Sequence, residues 1–251
     1  MHICVCVKRV PLTGGKMTLT DDQRAISTKH LGFTVSPHEE CAVEEAVQIV
    51  EREGGSVTVL TLGPAEAQEQ LRDMMAIGAD RAIQLVTDGE EWDPQATTTA
   101  IVAAIVADEQ AYDLIMFGNE SADGGNYQVA IRVAHALGLP CVTGVKAISI
   151  EGDRLICEQE VPGGRDVYEP ALPAVVSVKE GINLPRYPSV PGRLRAKRKP
   201  LESSRPQRPA SQLEMAKLVL PPDAGKQVQV LGNGAEAAPA VVAVLAELGV
   251  L

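Results

Sequence analysis

Aromatic side chains are scarce in this 251-residue chain: two Phe, four Tyr and one Trp, 3% of the total. A core with so few rings must be filled by Ala, Val, Ile and Leu, which suits β-branched parallel strands under Ala-rich helices better than an aromatic-packed β-sandwich. Cysteine is sparse and odd in number, with Cys4, Cys6, Cys41, Cys141 and Cys157 forming no CxxC pair. Neither a disulfide framework nor a zinc site is indicated, and the five read as buried thiols in a reducing compartment. Cys4 and Cys6, two apart in an apolar run, share one side of a strand and point to the core. Neither a bilayer-length apolar run nor a signal or transit peptide pattern is present, so a cytoplasmic location without membrane insertion is expected. GxGxxG, GxxxxGK[ST], HExxH and a nucleophile elbow are all missing. The four histidines, His2, His30, His38 and His135, are scattered, and His135 reads as structural. No metal and no chemistry by side chains is indicated, which leaves binding of a nucleotide and binding of a protein.

What the chain does have is a basic segment, residues 181–200 (GINLPRYPSVPGRLRAKRKP), with six cationic side chains and no acidic one in a protein of formal net charge -10. Pro185, Pro188 and Pro191 fix φ and withhold donors, so the segment is predicted to protrude as an ordered loop and not as a helix or central strand. Tyr187 and Val190 then stand exposed on a stiff support, and the segment reads as a docking surface. A nucleic-acid patch is disfavoured by the acidic whole and the few rings.

With 45% apolar and 22% charged residues, the chain suits one soluble α/β domain and an extension. A first strand over 3–7 leads into a Thr/Gly/Asp-rich stretch to about residue 35, a loop or small hairpin. Val43, Ala46, Val47 and Val50 at helical spacing predict a helix over 38–53, with Ser36 as N-cap, Pro37 at its first position, and Glu39 and Glu40 in its first turn. Strand 56–62, helix 65–77 ended by Gly78, strand 81–86, helix 94–110 and strand 112–117 follow. That alternation implies right-handed crossovers and a parallel sheet. Residues 141–150, 154–161 and 174–178 read as antiparallel hairpins added to it. Past Pro200 a polar linker reaches a final helix over 237–248, expected to dock on a partner.

Residues 118–140 (GNESADGGNYQVAIRVAHALGLP) place a Gly-rich polar loop at the carboxyl end of a parallel strand and before a helix, where open α/β sheets bind ligands. The amides of Gly124, Gly125, Asn126 and Tyr127 are candidates to meet a phosphate at the helix N-terminus, with Asn126 as cap or donor and Gln128 in the first turn. A plain strand-to-helix turn, with Asn126 only a cap, explains the same pattern. Asp123 reads either as a ligand to a ribose or base or as a turn aspartate.

Taken together, VKRV (7–10), AVEEAV (42–47), MAIGADRA (75–82), the 118–140 loop and LPAVVSVKEGINLPRYPSVPGRLRAKRK (172–199) resemble the beta subunit of the electron transfer flavoproteins, over about the first four-fifths of the chain. The resemblance implies an α/β fold with a mostly parallel nucleotide-binding sheet (adenine nucleotide alpha hydrolase-like), antiparallel additions and a C-terminal arm. It divides the chain into a nucleotide-binding domain over 1–200, with a recognition loop at 181–200, and a linker and helix over 201–251 wrapping an alpha subunit. It implies an electron carrier subunit, not an enzyme, in a heterodimer that shares FAD with the alpha subunit and holds AMP itself. Carried onto this sequence, the AMP pocket comprises Cys6 and Val7, the turn Ser36, Pro37, His38 and Glu39, Leu62, and Asp123, Gly124, Gly125, Asn126, Tyr127, Gln128 and Val129. Val190 takes the place of the family's leucine anchor for flavin dehydrogenases, with Tyr187 beside it. Arg186, Arg193, Arg195, Lys197, Arg198 and Lys199 steer acidic partners, and a quinone oxidoreductase takes the electrons. Asp166 stands where the family has a glutamate that contacts the mobile flavin domain, and His38 and Thr13 stand where relatives present aromatics toward the flavin. The loop lacks the acidic run of many AMP-binding relatives, and its Asp-Gly and Gln-Val elements resemble bifurcating members with a second FAD in place of AMP. A stand-alone adenine-nucleotide-binding protein of the universal-stress type explains the loop but not 172–199.

Overall fold

The computed structural model describes residues 1–12, 17–222 and 229–251. Thr13, expected near a flavin, lies outside the described residues. The chain divides into two units: residues 1–18 with 26–215, and residues 19–25 with 216–251.

In the first unit strands and helices alternate as the periodicity predicts. β1 (His2–Cys6) is followed by β2 (Arg9–Pro11) and β3 (Phe33–Val35), which pair antiparallel, the Arg9 guanidinium lying 3.3 Å from the Phe33 ring centroid. Then come α1 (Pro37–Glu53), β4 (Ser56–Gly63), a 3-10 turn (Ala65–Ala67), α2 (Gln68–Ile77), β5 (Arg81–Val86), α3 (Pro94–Ala107), β6 (Leu114–Gly118) and α4 (Val129–Leu137). Asp93 starts α3 by accepting a hydrogen bond from the Ala96 amide at 2.7 Å. β7 (Cys141–Glu151), β8 (Arg154–Val161), β9 (Gly164–Tyr168), β10 (Ala174–Val178), α5 (Val190–Ala196) and β11 (Leu201–Ser204) complete the unit.

The nine-stranded sheet runs β11-β5-β4-β1-β6-β10-β7-β8-β9. Every neighbouring pair from β11 to β7 is parallel, and only β7-β8 and β8-β9 are antiparallel. The expectation of antiparallel hairpins therefore holds for β7 and β8 and fails for β10. All five residues of β10 (AVVSV) are buried, as a strand covered on both faces requires, and it lies between two parallel neighbours. β9 was not anticipated, because GRDVY has no buried residue to mark a face. β11 carries the sheet past position 200 by pairing with β5.

Side-chain alternation along the strands sorts the core into two layers. Ile3, Val5, Leu114 and Met116 face α1 and α2, whereas Cys4, Cys6, Ile115 and Phe117 face Ala96 and Ile101 of α3 and Val133 and Ala134 of α4. Cys4, Cys6, Cys41 and Cys157 are buried as expected. Cys141, at the start of β7, is exposed.

The basic segment departs from the loop expected of it. Residues 190–196 form the short helix α5, with Pro191 in the first turn, where its missing N–H goes unneeded, and the Ser189 hydroxyl accepting from the Gly192 amide at 3.1 Å.

In the second unit, α6 (Ala238–Glu247) has no buried residue, and Val241, Val242 and Leu248 are exposed. The Leu218 amide donates to the Gln23 carbonyl at 2.7 Å.

Candidate functional site

Strand order reverses at β1: β4 and β5 lie on one side, β6, β10 and β7 on the other. The connections leaving the carboxyl ends diverge there and open a crevice. The end of β1 is pinned, since the Val7 amide donates to Leu60 O at 2.8 Å and the Thr61 hydroxyl donates to Val7 O at 2.7 Å. Lys8 comes next. Its Nζ lies 2.6 Å from Glu91 and 2.8 Å from Asp123, joining β1 to the loop after β6. Burial pulls the Lys8 ammonium down, but the two carboxylates outweigh it and hold it above the usual lysine range. Burial likewise pushes Asp123 up, and Lys8, the Ser121 hydroxyl and the Gly124 amide outweigh it to hold Asp123 below the usual carboxylate range.

Ser36 precedes α1 with extended backbone (φ -63, ψ 141), and its carbonyl accepts from the Glu39 and Glu40 amides, each at 3.0 Å. Its hydroxyl does not cap the helix, contrary to expectation. The loop after β6 competes for it: Ser36 Oγ accepts from the Ala122 amide at 3.1 Å and donates to Glu120 O at 3.5 Å. The N-terminus of α1 is thereby laced to that loop. Gly118 shows how tightly, because a Cβ there would lie 2.9 Å from His38 Cβ, Glu39 Cγ and Glu39 N. Glu39, behind it, is 6% exposed, and burial pushes its carboxyl up to about 8 against the pull of the Ser36 hydroxyl and Lys8. Glu39 Oε2 and His38 Nδ1 are both buried without a hydrogen-bond partner. Burial pushes the Cys6 thiol well above its usual range, with Cys4 adding to it.

Farther along the loop, the Gly124 amide donates to Asp123 Oδ1 at 2.6 Å and the Gly125 amide to Ser121 O at 3.0 Å. Gly125 (φ 52) and Tyr127 (φ 56) both take left-handed backbone, and Tyr127 is exposed. The residue before α4 is Gln128, so Asn126 does not cap that helix, and Gln128 Oε1 accepts from Arg132 at 3.0 and 3.1 Å. Cys6, Val7, Ser36, His38, Glu39 and Asp123 thus gather at the end of β1. Leu62 sits near the carboxyl end of β4 and Val129 opens α4. Lys8 and Glu91 were missed by the sequence reading. A lysine directly after an apolar strand was the available signal for the first, and nothing local marks the second.

The basic segment is held down by its own charges. Arg186 lies across α1, 3.0 Å from Glu44 and 2.6 Å from Glu51, and Arg193 lies 2.8 Å from Asp73. Glu44 is pushed up by burial and pulled down further by Arg186, ending below the usual range. Lys199 Nζ donates to the carbonyls of Met75, Gly78 and Ala79 at 3.1, 3.3 and 2.6 Å, where the carboxyl end of a helix favours a cation. Arg72 holds the carbonyls of Ala196 and Lys199 at 2.5 and 2.8 Å, and a Cβ on Gly192 would fall 2.5 Å from Ala76 O. Of the six cations expected to steer partners, Arg186, Arg193 and Lys199 are also engaged internally. Arg195, Lys197 and Arg198 make no ion pair among the described residues. Beside them Leu184, Tyr187, Val190 and Leu194 are 89%, 94%, 72% and 60% exposed. Val190, Leu194 and Lys197 border a shallow groove of about 460 Å³ against Arg72 and Asp73 of α2.

Residues 25–207 match the model of the electron transfer flavoprotein domain. The chain belongs to the electron transfer flavoprotein family. It is similar to electron transfer flavoprotein subunit beta of Bacillus subtilis, 34% identical across 98% of this chain and 97% of that one. The subunit beta of Mycobacterium tuberculosis is 39% identical over 79% of this chain and 76% of its own length, and the human one 32% over 82% of each. In this electron transfer flavoprotein chain Asp166 lies on β9, its carboxylate 3.5 Å from the Tyr168 hydroxyl. Among the described residues no His/Cys/Asp/Glu group is arranged to hold a metal ion, and no helix is long and apolar enough to cross a membrane.

Proposed function

We propose that this chain is the beta subunit of a heterodimeric electron transfer flavoprotein, an electron carrier and not a complete enzyme, which holds AMP at the carboxyl edge of its sheet. The observation that carries the nucleotide reading is the pair of orphaned buried atoms, His38 Nδ1 and Glu39 Oε2, at the α1 N-terminus beside Gly118 and the Lys8–Asp123 pair. Unsatisfied polar atoms buried against a helix N-terminus fit a ligand that brings acceptors and donors of its own. The residues that hold it are Cys6, Val7, Ser36 to Glu39, Leu62 and Asp123 to Val129. Within the loop, the amides of Asn126 and Tyr127 meet the phosphate, since those of Gly124 and Gly125 are already used.

FAD, held mainly by the alpha subunit, supplies one- and two-electron chemistry when bound. This chain's part is to position it, with Asp166 on β9 meeting the mobile flavin domain, and α6 with residues 216–251 wrapping the alpha subunit. Val190 and Tyr187 dock flavin dehydrogenases such as those acting on acyl-CoA, while Arg195 and Lys197 speed encounter with acidic partners and a quinone oxidoreductase receives the electrons. A second FAD in place of AMP is the alternative, favoured by Asp123-Gly124 and Gln128-Val129 in the loop.

Co-expression with the matching alpha subunit, followed by acid extraction and chromatography, tests the reading. A yellow heterodimer yielding one FAD and one AMP is expected. A colourless complex overturns it, and two flavins without AMP turn it to the alternative.

A further inference from the structure

Three carboxyl groups, Glu91, Asp123 and Glu39, stand around the Lys8 ammonium. Lys8 is committed to Glu91 and Asp123 at 2.6 and 2.8 Å, and Glu39 forms no salt bridge among the described residues. Were Glu39 ionised, it would be a third anion around one ammonium, 6% exposed and so largely desolvated. Its neighbours give too little relief: the Ser36 hydroxyl and Lys8 favour the charged form, and burial outweighs them. The β1 end contributes the Cys6 thiol and Lys8, the loop after β6 contributes Asp123 and the bare Cα of Gly118, and α1 itself contributes His38 and the Ser36 hydroxyl, already shared with Glu120 and Ala122. The α1 N-terminus favours an anion, but by less than desolvation of a carboxylate costs. Glu39 Oε2 meets no protein partner.

We propose that Glu39 is a protonated carboxyl that donates a hydrogen bond to the nucleotide bound at the carboxyl edge, and so makes nucleotide retention dependent on pH. This rests on the nucleotide reading of the site. The neutral form offers a donor where an ionised one would face an anionic phosphate, and burial, which pushes Glu39 up to about 8, places the change just above neutrality. Losing the proton removes the donor and adds a negative charge beside the phosphate, so the nucleotide is released as pH rises. The Cys6 thiol, pushed well above its usual range by burial, does not titrate there, and the phosphate of AMP, half-way through its second ionisation near pH 6, has all but lost that proton by the start of the fall above pH 8.

The test is calorimetric titration of AMP into the nucleotide-stripped heterodimer from pH 7 to 9.5 at fixed ionic strength, with wild type and Glu39→Gln. The amide of Gln can donate but cannot ionise. Wild-type affinity is expected to fall above pH 8, approaching tenfold per pH unit, while that of Glu39→Gln stays flat. AMP binding with the same pH dependence in both proteins overturns the proposal and leaves the nucleotide reading standing. Failure of wild type to bind AMP at any pH overturns that reading itself. Where Glu39→Gln does not assemble, wild-type titrations at pH 8.5 in buffers of different ionisation enthalpy decide: proton uptake on binding supports the proposal, and its absence overturns it.

Discussion

Gly118 brings the end of β6 against the start of α1, and its missing side chain is what lets them meet. A methyl group there would press on His38 Cβ, Glu39 Cγ and the Glu39 backbone at 2.9 Å, and backbone cannot step aside as a flexible side chain can. Gly118→Ala is expected to destabilise the protein by about 1–3 kcal/mol, lowering the melting midpoint by several degrees. It should also shift His38 and Glu39 enough to empty the proposed nucleotide site. An unchanged melting curve with full nucleotide content would show the contact to be slack. Lys8 belongs to this scale too, because a single ammonium ties the β1 end to both Asp123 and Glu91, two segments far apart in sequence.

At the scale of elements, α5 is a seven-residue helix that owes its place to α1 and α2 and not to its own length. The fastenings are Arg186 on Glu44 and Glu51, Arg72 on the last carbonyls of the segment, Lys199 on the end of α2, and Gly192 against Ala76. Removing Arg186 strands the buried Glu44. Arg186→Met should therefore cost about 1–3 kcal/mol and speed amide exchange over residues 183–196. Val190→Ala, at a 72% exposed position, should leave the melting curve within experimental error yet slow reduction by a dehydrogenase without loss of nucleotide. If both variants behave alike in the two assays, fastening and docking are not the separate functions proposed for this segment.

At the scale of the whole molecule, the sheet and its two helical layers form one unit and residues 216–251 belong to another. A helix such as α6, rich in Ala and Val yet with no buried residue, has its apolar surface unspent. Ending the chain after Met215 should leave the sheet unit folded, with far-ultraviolet dichroism retained, and abolish a stable complex with the alpha subunit on size exclusion. Full association of the truncated chain would remove the arm's proposed role.

The local order of elements was legible in the chain itself. Strand and helix periods, Gly78 after α2, Pro37 at the start of α1 and the shortage of rings led to a parallel α/β sheet with Cys4 and Cys6 in its core, because those signals act over a few residues. The loop at 118–140 was legible as a strand-end loop for the same reason. Tertiary structure decided what depends on partners distant in sequence. It set the direction and place of β10, which is parallel because β6 and β7 flank it, and recruited β11 and the exposed β9 as edge strands. It drew the Ser36 hydroxyl away from its own helix, because the Ala122 amide was nearer to hand. It also turned half of the basic segment's charge inward onto Glu44, Glu51, Asp73 and the end of α2. A sequence states which charges exist, but a charge acts on whatever the fold brings within a few ångströms of it, and that distance is set only when the chain has closed on itself.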